Sequence, residues 1–140
     1  MSTEANKAII RRLTEDLWNA GNLSVADELI ADNFVNHNPG PGQTPDREAF
    51  KQSITEFHNG FSGIRFNIDD LISEGDKTVA RGTFHGTHTG EFAGVSATGK
   101  DVMMSWIVIL RIKDGRITER WLHYNELDFL TQLGVIPPLG

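Results

Sequence analysis

The stretch that decides the fold lies near the C-terminus and reads GRITERWLHYNELDFLTQLG, residues 115–134. Asp114-Gly115 is the strongest short hairpin signal in the chain, and it predicts that the following strand pairs antiparallel with residues 102–112. Counting across a two-residue turn places Trp121 near Val108 and Asn125 near Met104. A short apolar helix then ends at a glycine.

Side chains alternate between the two faces of a strand, so position alone assigns them to a face. Glu119, Trp121, His123 and Asn125 share one parity, and Tyr124 has the other. If the chain has an active site, we expect the face that carries Trp121, His123 and Asn125 to form its floor.

Upstream of this strand, the hydrophobic period changes from helical to strand-like. Residues 3–20, 24–30 and 46–61 carry apolar side chains at helical spacing, and a loop with three prolines fills residues 38–45. From residue 64 onward the period is two, with further strands at 78–87 and 102–112. Helices followed by four antiparallel strands and a last helix predict an α+β domain, with helices covering one face of a curved sheet.

Composition excludes several classes of protein. A length of 140 residues predicts a single domain, 1–140. The net charge of −6 argues against nucleic-acid and anionic-membrane partners, because no basic face is available. With no cysteine there is no disulfide framework and no Cys-based metal site. No apolar run suits a signal peptide or a membrane span, so a cytoplasmic location is expected.

An ordered set of short motifs covers about residues 5–136, nearly the whole chain. Its members are Asn36-His37-Asn38-Pro39, Phe61, Ile68-Asp69-Asp70-Leu71, Glu74-Gly75-Asp76, Ala80-Arg81, Gly86-Thr87-His88-Thr89-Gly90-Glu91-Phe92-Ala93-Gly94, Thr98-Gly99-Lys100, Asp114-Gly115-Arg116-Ile117, Trp121 and Gln132-Leu133-Gly134-Val135. In this order they resemble the SnoaL-like polyketide cyclases, or ester cyclases, of the nuclear transport factor 2-like superfamily.

The resemblance implies a cone-shaped, cystatin-like α+β domain whose curved antiparallel sheet is wrapped by N-terminal helices. It also implies a cofactor-free enzyme that closes a ring by intramolecular aldol condensation in a small polyketide-type ester. The family's acid/base aspartate normally lies four residues after the strand tryptophan. Here that position holds Asn125, which cannot exchange a proton at neutral pH.

Three other residues are candidates for the acid/base role. His123 and Glu119 share the parity of Trp121, and His88 lies in a run of small residues that lets an imidazole reach inward. Two of them have a structural alternative: Glu119 can pair with a cross-strand arginine, and His88 can bond to a loop backbone. His85 and His88 would face opposite sides of a strand, so we expect no metal site.

Candidate binding residues come from the walls and the lid of the expected cavity. They are Asn125, Trp121, Trp106, His37, Arg81, Phe61 and Phe92. Aromatic side chains at these positions are first of all core or cavity wall. Asn125 can instead satisfy backbone groups at the helix start, and Arg81 can pair with Asp70 or Glu119.

Two other functions on the same cone stay open. The first is a non-catalytic small-molecule-binding or accessory protein, since the expected aspartate is missing. The second is an epoxide hydrolase, which would need an Asp-Arg-Asp set that Arg81 and Asp70 supply only in part. A ketosteroid-isomerase mechanism is set aside because Tyr124 has the wrong parity.

The strand at residues 102–112 is apolar on both faces. Met104, Trp106, Val108 and Leu110 alternate with Met103, Ile107 and Ile109. Only one of these faces can look into the cone, which predicts a homodimer through the sheet.

Overall fold

Four α-helices and five strands follow one another in the computed structural model, which describes residues 2–138. The helices are α1 (Thr3–Arg12), α2 (Ser24–Leu29), α3 (Arg47–Gly60) and α4 (Glu126–Gln132). The strands are β1 (Ile30–Asn36), β2 (Phe61–Glu74), β3 (Lys77–His88), β4 (Asp101–Lys113) and β5 (Arg116–Tyr124). Among these residues, no helix is long and apolar enough to cross a membrane.

The N-terminal helix begins where the sequence predicts. Ser2 caps it, its side-chain oxygen accepting a hydrogen bond from the Ala5 backbone N–H at 3.0 Å. Its last part, Leu13–Asn19, is wound as a π-helix, a feature that the apolar spacing did not predict. Gly21, with φ +73°, ends the segment in the left-handed conformation that favours glycine.

The sheet has the strand order β1-β5-β4-β3-β2. The four antiparallel strands of the prediction are present, and β1 is an additional strand that pairs parallel with β5. β4 alternates fully: residues Val102, Met104, Trp106, Val108, Leu110 and Ile112 are buried. The mixed α+β architecture with a curved sheet, N-terminal helices and a short C-terminal helix is therefore confirmed.

The core lies between the concave face of this sheet and the helices. Phe84 is fully buried at its centre, with ring centroids of Phe61 and Phe66 at 5.2 and 4.8 Å. Phe57 joins them from α3 at 5.4 Å from Phe84. Aromatic packing therefore fills one end of the cone and leaves the other end open for a cavity.

Candidate functional site in the cone

One extra residue in β5 decides which side chains face the cone. Beyond the turn at Asp114-Gly115, Ile112 pairs with Ile117, but the next pair is Arg111 with Glu119. Thr118 is therefore left without a partner in β4, and the strand contains a bulge at this position. A one-residue shift moves every later side chain of the strand to the opposite face.

The bulge makes the predicted faces of β5 wrong. Trp121 lies opposite Ile109 rather than Val108, on the outer face of the sheet, and Glu119 and His123 share that face. The side chains that face inward instead are Arg120, Leu122 and Tyr124. The sequence carries one trace of this: Ile117 and Leu122, the strand's two aliphatic residues, are five apart, and a regular strand cannot bury both on one face.

Glu119 belongs to a polar network on the outer face. Its carboxylate accepts hydrogen bonds from Arg111 Nε at 3.0 Å and from His37 Nε2 at 2.9 Å. The hydrogen bond from His37 is the main cause that lowers the pKa of Glu119; partial burial opposes it, and the charge of Arg111 adds to it. The His37 ring also stacks on Trp121 at 4.7 Å. A carboxylate held ionised outside the cone is poorly placed to take a proton from a ligand inside it.

His88 faces inward but is already bonded to a loop. It is fully buried, and its Nδ1 accepts the backbone N–H of Thr98 at 3.3 Å, with the Thr98 hydroxyl at 3.0 Å. The proton therefore lies on Nε2, which has no hydrogen-bond partner among residues 2–138. The centroid of its ring lies 5.5 Å from that of Phe61, so His88 belongs to the aromatic layer, the group of buried rings around Phe84. His85, three residues earlier, is exposed on the other face, as predicted.

Three of the predicted binding residues also lie outside the cavity lining. Arg81 is on the outer face, where it pairs with Asp70 at 2.6 Å, the structural alternative given for it. Asn125 is exposed and caps α4, its side chain accepting the Asp128 backbone N–H at 3.3 Å. Phe61 is buried in the aromatic layer.

The cone encloses a cavity of about 1160 Å³ that opens to solvent. Most of its wall is apolar, and the predicted residues Trp106 and Phe92 belong to it. The proline loop contributes residues 38–41 and Gln43, and His37 lies at the same border. This loop is attached to β5, because the Leu122 N–H donates to Asn38 Oδ1 at 2.7 Å and the His37 N–H donates to the Arg120 carbonyl at 2.9 Å.

Two hydrogen-bond donors meet at one end of this cavity. Trp106 and Tyr124 are cross-strand partners on the inward face, and both line the cavity. The indole Nε1 of Trp106 is buried without a partner in the described part of the chain. Burial, and secondly the nearby Glu126 carboxylate, raise the pKa of Tyr124, so its hydroxyl stays protonated at neutral pH. The Tyr124 hydroxyl can donate to an oxygen of a ligand, and the Trp106 N–H is a buried, unsatisfied donor beside the cavity.

Arg120 is the cation of the cavity, and the sequence analysis did not single it out. Its guanidinium donates to Asn36 Oδ1 at 3.4 Å and lies 4.8 Å from the Phe50 ring centroid. Burial lowers its pKa to about 10, which still leaves it charged at neutral pH. The side chain is only half-buried by accessible surface, because its free surface faces the cavity rather than bulk water.

Carboxylates occur at the border of the cavity. Glu56, Glu91 and Glu126 contribute to the lining, and all three are exposed. Glu126 opens α4 directly after Asn125, next to Tyr124. The position where the resemblance expects an aspartate is thus followed at once by a carboxylate that does reach the cavity.

Comparison with known proteins identifies relatives over nearly the full length. The family model of SnoaL-like polyketide cyclases matches residues 8–133. Aklanonic acid methyl ester cyclase DnrD from Streptomyces peucetius is 30% identical over 144 aligned positions, covering 96% of this chain and 92% of that protein.

Solved structures show the same architecture. TsrD from Streptomyces laurentii superposes with a TM-score of 0.88 at 25% identity, covering 97% of this chain and 99% of that one. IdmH, a putative polyketide cyclase from Streptomyces antibioticus, has a TM-score of 0.78 at 34% identity, with coverage of 91% and 96%.

Proposed function

Because the chain belongs to the SnoaL-like polyketide cyclase family, we propose that it closes a ring in a small polyketide-type ester by intramolecular aldol addition. A C–H bond next to a carbonyl breaks, and the resulting enolate carbon bonds to a ketone carbon of the same molecule. The ketone oxygen becomes an alkoxide and takes up a proton. The product has the formula of the substrate, so the reaction needs no oxidant or reductant.

The observation that carries this proposal is the apolar cavity of about 1160 Å³ with Trp106 and Tyr124 as neighbours on its inward strand face. Its volume suits a folded polycyclic precursor. Its largely apolar walls lower the local dielectric constant, which strengthens a hydrogen bond made to a developing negative charge.

In the proposed mechanism, Trp106 and Tyr124 stabilise the oxygen on which charge accumulates. The indole Nε1–H has no other partner among residues 2–138, and the phenol stays protonated at neutral pH. The Tyr124 hydroxyl gives a proton to the alkoxide, and the proton that Glu126 took from the C–H bond then restores the phenol.

Glu126 takes the acid/base role in place of the absent aspartate. It lines the cavity and lies close enough to Tyr124 to raise the pKa of that phenol. The earlier candidates serve this role less well. Glu119 lies on the outer face, and His88 is bonded to the Thr98 loop. His123 contributes to the border of the cavity, but its place in the strand puts it on the outer face, where it also lines the cleft beside Trp121. A carboxylate at this place can accept the proton of an activated C–H bond.

Neither alternative function is favoured. The Arg81–Asp70 pair that an epoxide hydrolase would use lies on the outer face, away from the cavity. A non-catalytic binding protein would not require a carboxylate beside the two donors, whereas Glu126 and Tyr124 supply that combination.

The test is a cyclisation assay with aklanonic acid methyl ester, the compound named for the relative DnrD. Chromatography should show a product of unchanged mass that forms only with enzyme. Glu126→Gln should lower kcat by about 10²–10⁴-fold, and the matched exposed control Glu48→Gln should not. If Glu126→Gln keeps full kcat, the proposed role of Glu126 is wrong; if no tested polyketide ester cyclises, the proposed reaction is wrong.

The outer face of β4 supports a homodimer through the sheet, which is also a proposal. Met103, Ile107 and Ile109 expose 52, 43 and 36% of their surface there, beside a shallow cleft lined partly by Trp121. A second copy that covers this face would bury these side chains. Light scattering at micromolar concentration should give a dimer mass that Ile107→Glu reduces to a monomer, whereas Val135→Glu, an equally exposed control, keeps the dimer.

A further inference from the structure

Arg120 stands apart from the other arginines of this protein. Arg12, Arg47, Arg65, Arg81 and Arg111 pair with carboxylates, all at or near the surface. Arg11 and Arg116 form no ion pair with another described residue, but both are exposed to water. Arg120 lines the cavity, and no carboxylate within residues 2–138 forms an ion pair with it. A charge withdrawn from water without an opposite charge destabilises the folded protein, so such a residue calls for a partner from outside the chain.

The surroundings of Arg120 orient its guanidinium without neutralising it. The ring of Phe50 lies 4.8 Å away, and Asn36 Oδ1 accepts a long hydrogen bond of 3.4 Å. Asn36 is itself buried, and its Oδ1 also accepts the Asn38 backbone N–H at 3.2 Å. The neutral Asn36 amide and the face of the Phe50 ring hold the guanidinium in place and leave its other N–H groups free for the cavity.

We propose that Arg120, oriented by Asn36 and Phe50, binds a planar pair of oxygens that carries or develops a negative charge on the substrate. The guanidinium fork matches such a pair in two-point geometry. A carboxylate and the enolate of a 1,3-dicarbonyl both have this chemistry.

This site lies at the opposite end of the inward strand face from the two neutral donors. Arg120 and Tyr124 are four residues apart on one strand, roughly 13 Å. A substrate that reaches both must therefore carry oxygen groups at two separated places, with the more acidic one at Arg120. The identity of the substrate rests on the proposed cyclase function, whereas the binding of an anion at Arg120 does not depend on it.

Binding of two matched probes to the full chain tests the inference. 2-Anthracenecarboxylate is an anion at pH 7.5, and its methyl ester is a neutral molecule of nearly the same shape. The acid should bind about 10- to 150-fold more tightly than the ester, the range for hydrogen bonds to charged groups. This preference should disappear in Arg120→Met, persist in part in Arg120→Lys, and be unchanged in the exposed control Arg65→Met.

A second arm distinguishes the two sources of the anionic oxygen pair. 1-(2-Naphthyl)butane-1,3-dione absorbs differently as its enolate, so the enolate fraction of the bound diketone can be read at fixed pH. The wild-type protein should raise that fraction about tenfold relative to Arg120→Met. A response in the carboxylate arm alone identifies Arg120 as a substrate anchor, and a response in the enolate arm identifies it as a group that stabilises the reacting oxygen.

The inference is overturned if neither probe pair discriminates in the wild-type protein, or if Arg120→Met keeps the discrimination. If circular dichroism shows that Arg120→Met does not fold, Arg120→Lys replaces it in both arms, and an acid-to-ester preference in that variant equal to the wild-type value would overturn the inference. A protein that prefers the anionic probes but cyclises no ester would contradict the proposed reaction and leave the anion site standing. A protein that cyclises the ester but binds acid and ester equally would contradict the anion site and leave the proposed reaction standing.

Discussion

Replacing Trp106 with phenylalanine should separate ligand binding from stability. The indole Nε1–H is buried without a partner among the described residues, and only 9% of the residue is exposed. An unsatisfied buried donor costs about 1–3 kcal/mol, which phenylalanine does not incur. The smaller ring loses roughly 1–2 kcal/mol of apolar burial. These effects offset each other, so the free energy of unfolding should change by about 1 kcal/mol or less.

Unlike the stability, the kcat/KM of Trp106→Phe should only decrease. A hydrogen bond from the indole to a ligand oxygen contributes about 0.5–1.5 kcal/mol, which corresponds to a loss of about 2- to 13-fold in kcat/KM for Trp106→Phe. Urea unfolding measures the first quantity and cyclisation kinetics the second. Trp121→Phe is the matched control, because that ring stacks on His37 outside the cone. The reasoning is refuted if Trp106→Phe keeps full kcat/KM, or if Trp121→Phe causes the larger loss.

Substitutions at four further positions probe the frame around the cavity. Phe84→Ala should destabilise the protein by about 3–5 kcal/mol in urea unfolding, since the ring is fully buried among other aromatic rings; a loss below about 1 kcal/mol would contradict that packing. Gly82→Ala should reduce stability by roughly 2 kcal/mol or more, because a Cβ there would lie 1.8 Å from the Asn67 carbonyl oxygen; an unchanged thermal midpoint would disprove the contact. Asn125→Ala should cost about 1 kcal/mol through loss of the α4 cap, while Asn125→Asp should be nearly neutral at pH 7. The hydrogen bond from the Ala49 backbone N–H lowers the pKa of Asp46 in the folded state. The ionised carboxylate therefore stabilises the folded protein above the unfolded pKa, about 4, and this contribution is lost as the pH falls through the lower folded value. Acid titration of Asp46→Asn should show a shallower loss of stability than that of the wild type.

Local signals in the sequence were sufficient for most of the frame. The predicted helices at 3–20 and 46–61 begin at Ser2 and Asp46, whose short side chains cap them by reaching the backbone N–H groups three residues later. The alternation along β4 predicted its buried face correctly, because a strand has a period of two. β1 was missed, since residues 30–36 pair in parallel with a strand more than 80 positions away, and no local pattern records such a partner.

The predicted site failed at one backbone detail. Trp106 and Phe92 were placed in the cavity wall correctly, as both follow from regular alternation or from the glycine-rich loop. Glu119, Trp121, His123 and Tyr124 were all assigned to the wrong face, because Thr118 is unpaired. A count of residues across a hairpin is reliable only when both strands are regular.

By itself, the sequence determined the α+β class, the order of the elements other than β1, and the family. These depend on hydrophobic periods, caps and turns, which act over a few residues, and on motifs whose order survives any change of register. Only the tertiary structure decided what the cavity contains. The fit of β5 between β4 and β1 places the bulge at Thr118, and that one residue turns Arg120 and Tyr124 inward and Glu119 outward. The chemistry of the site thus depends on a strand register that distant partners determine.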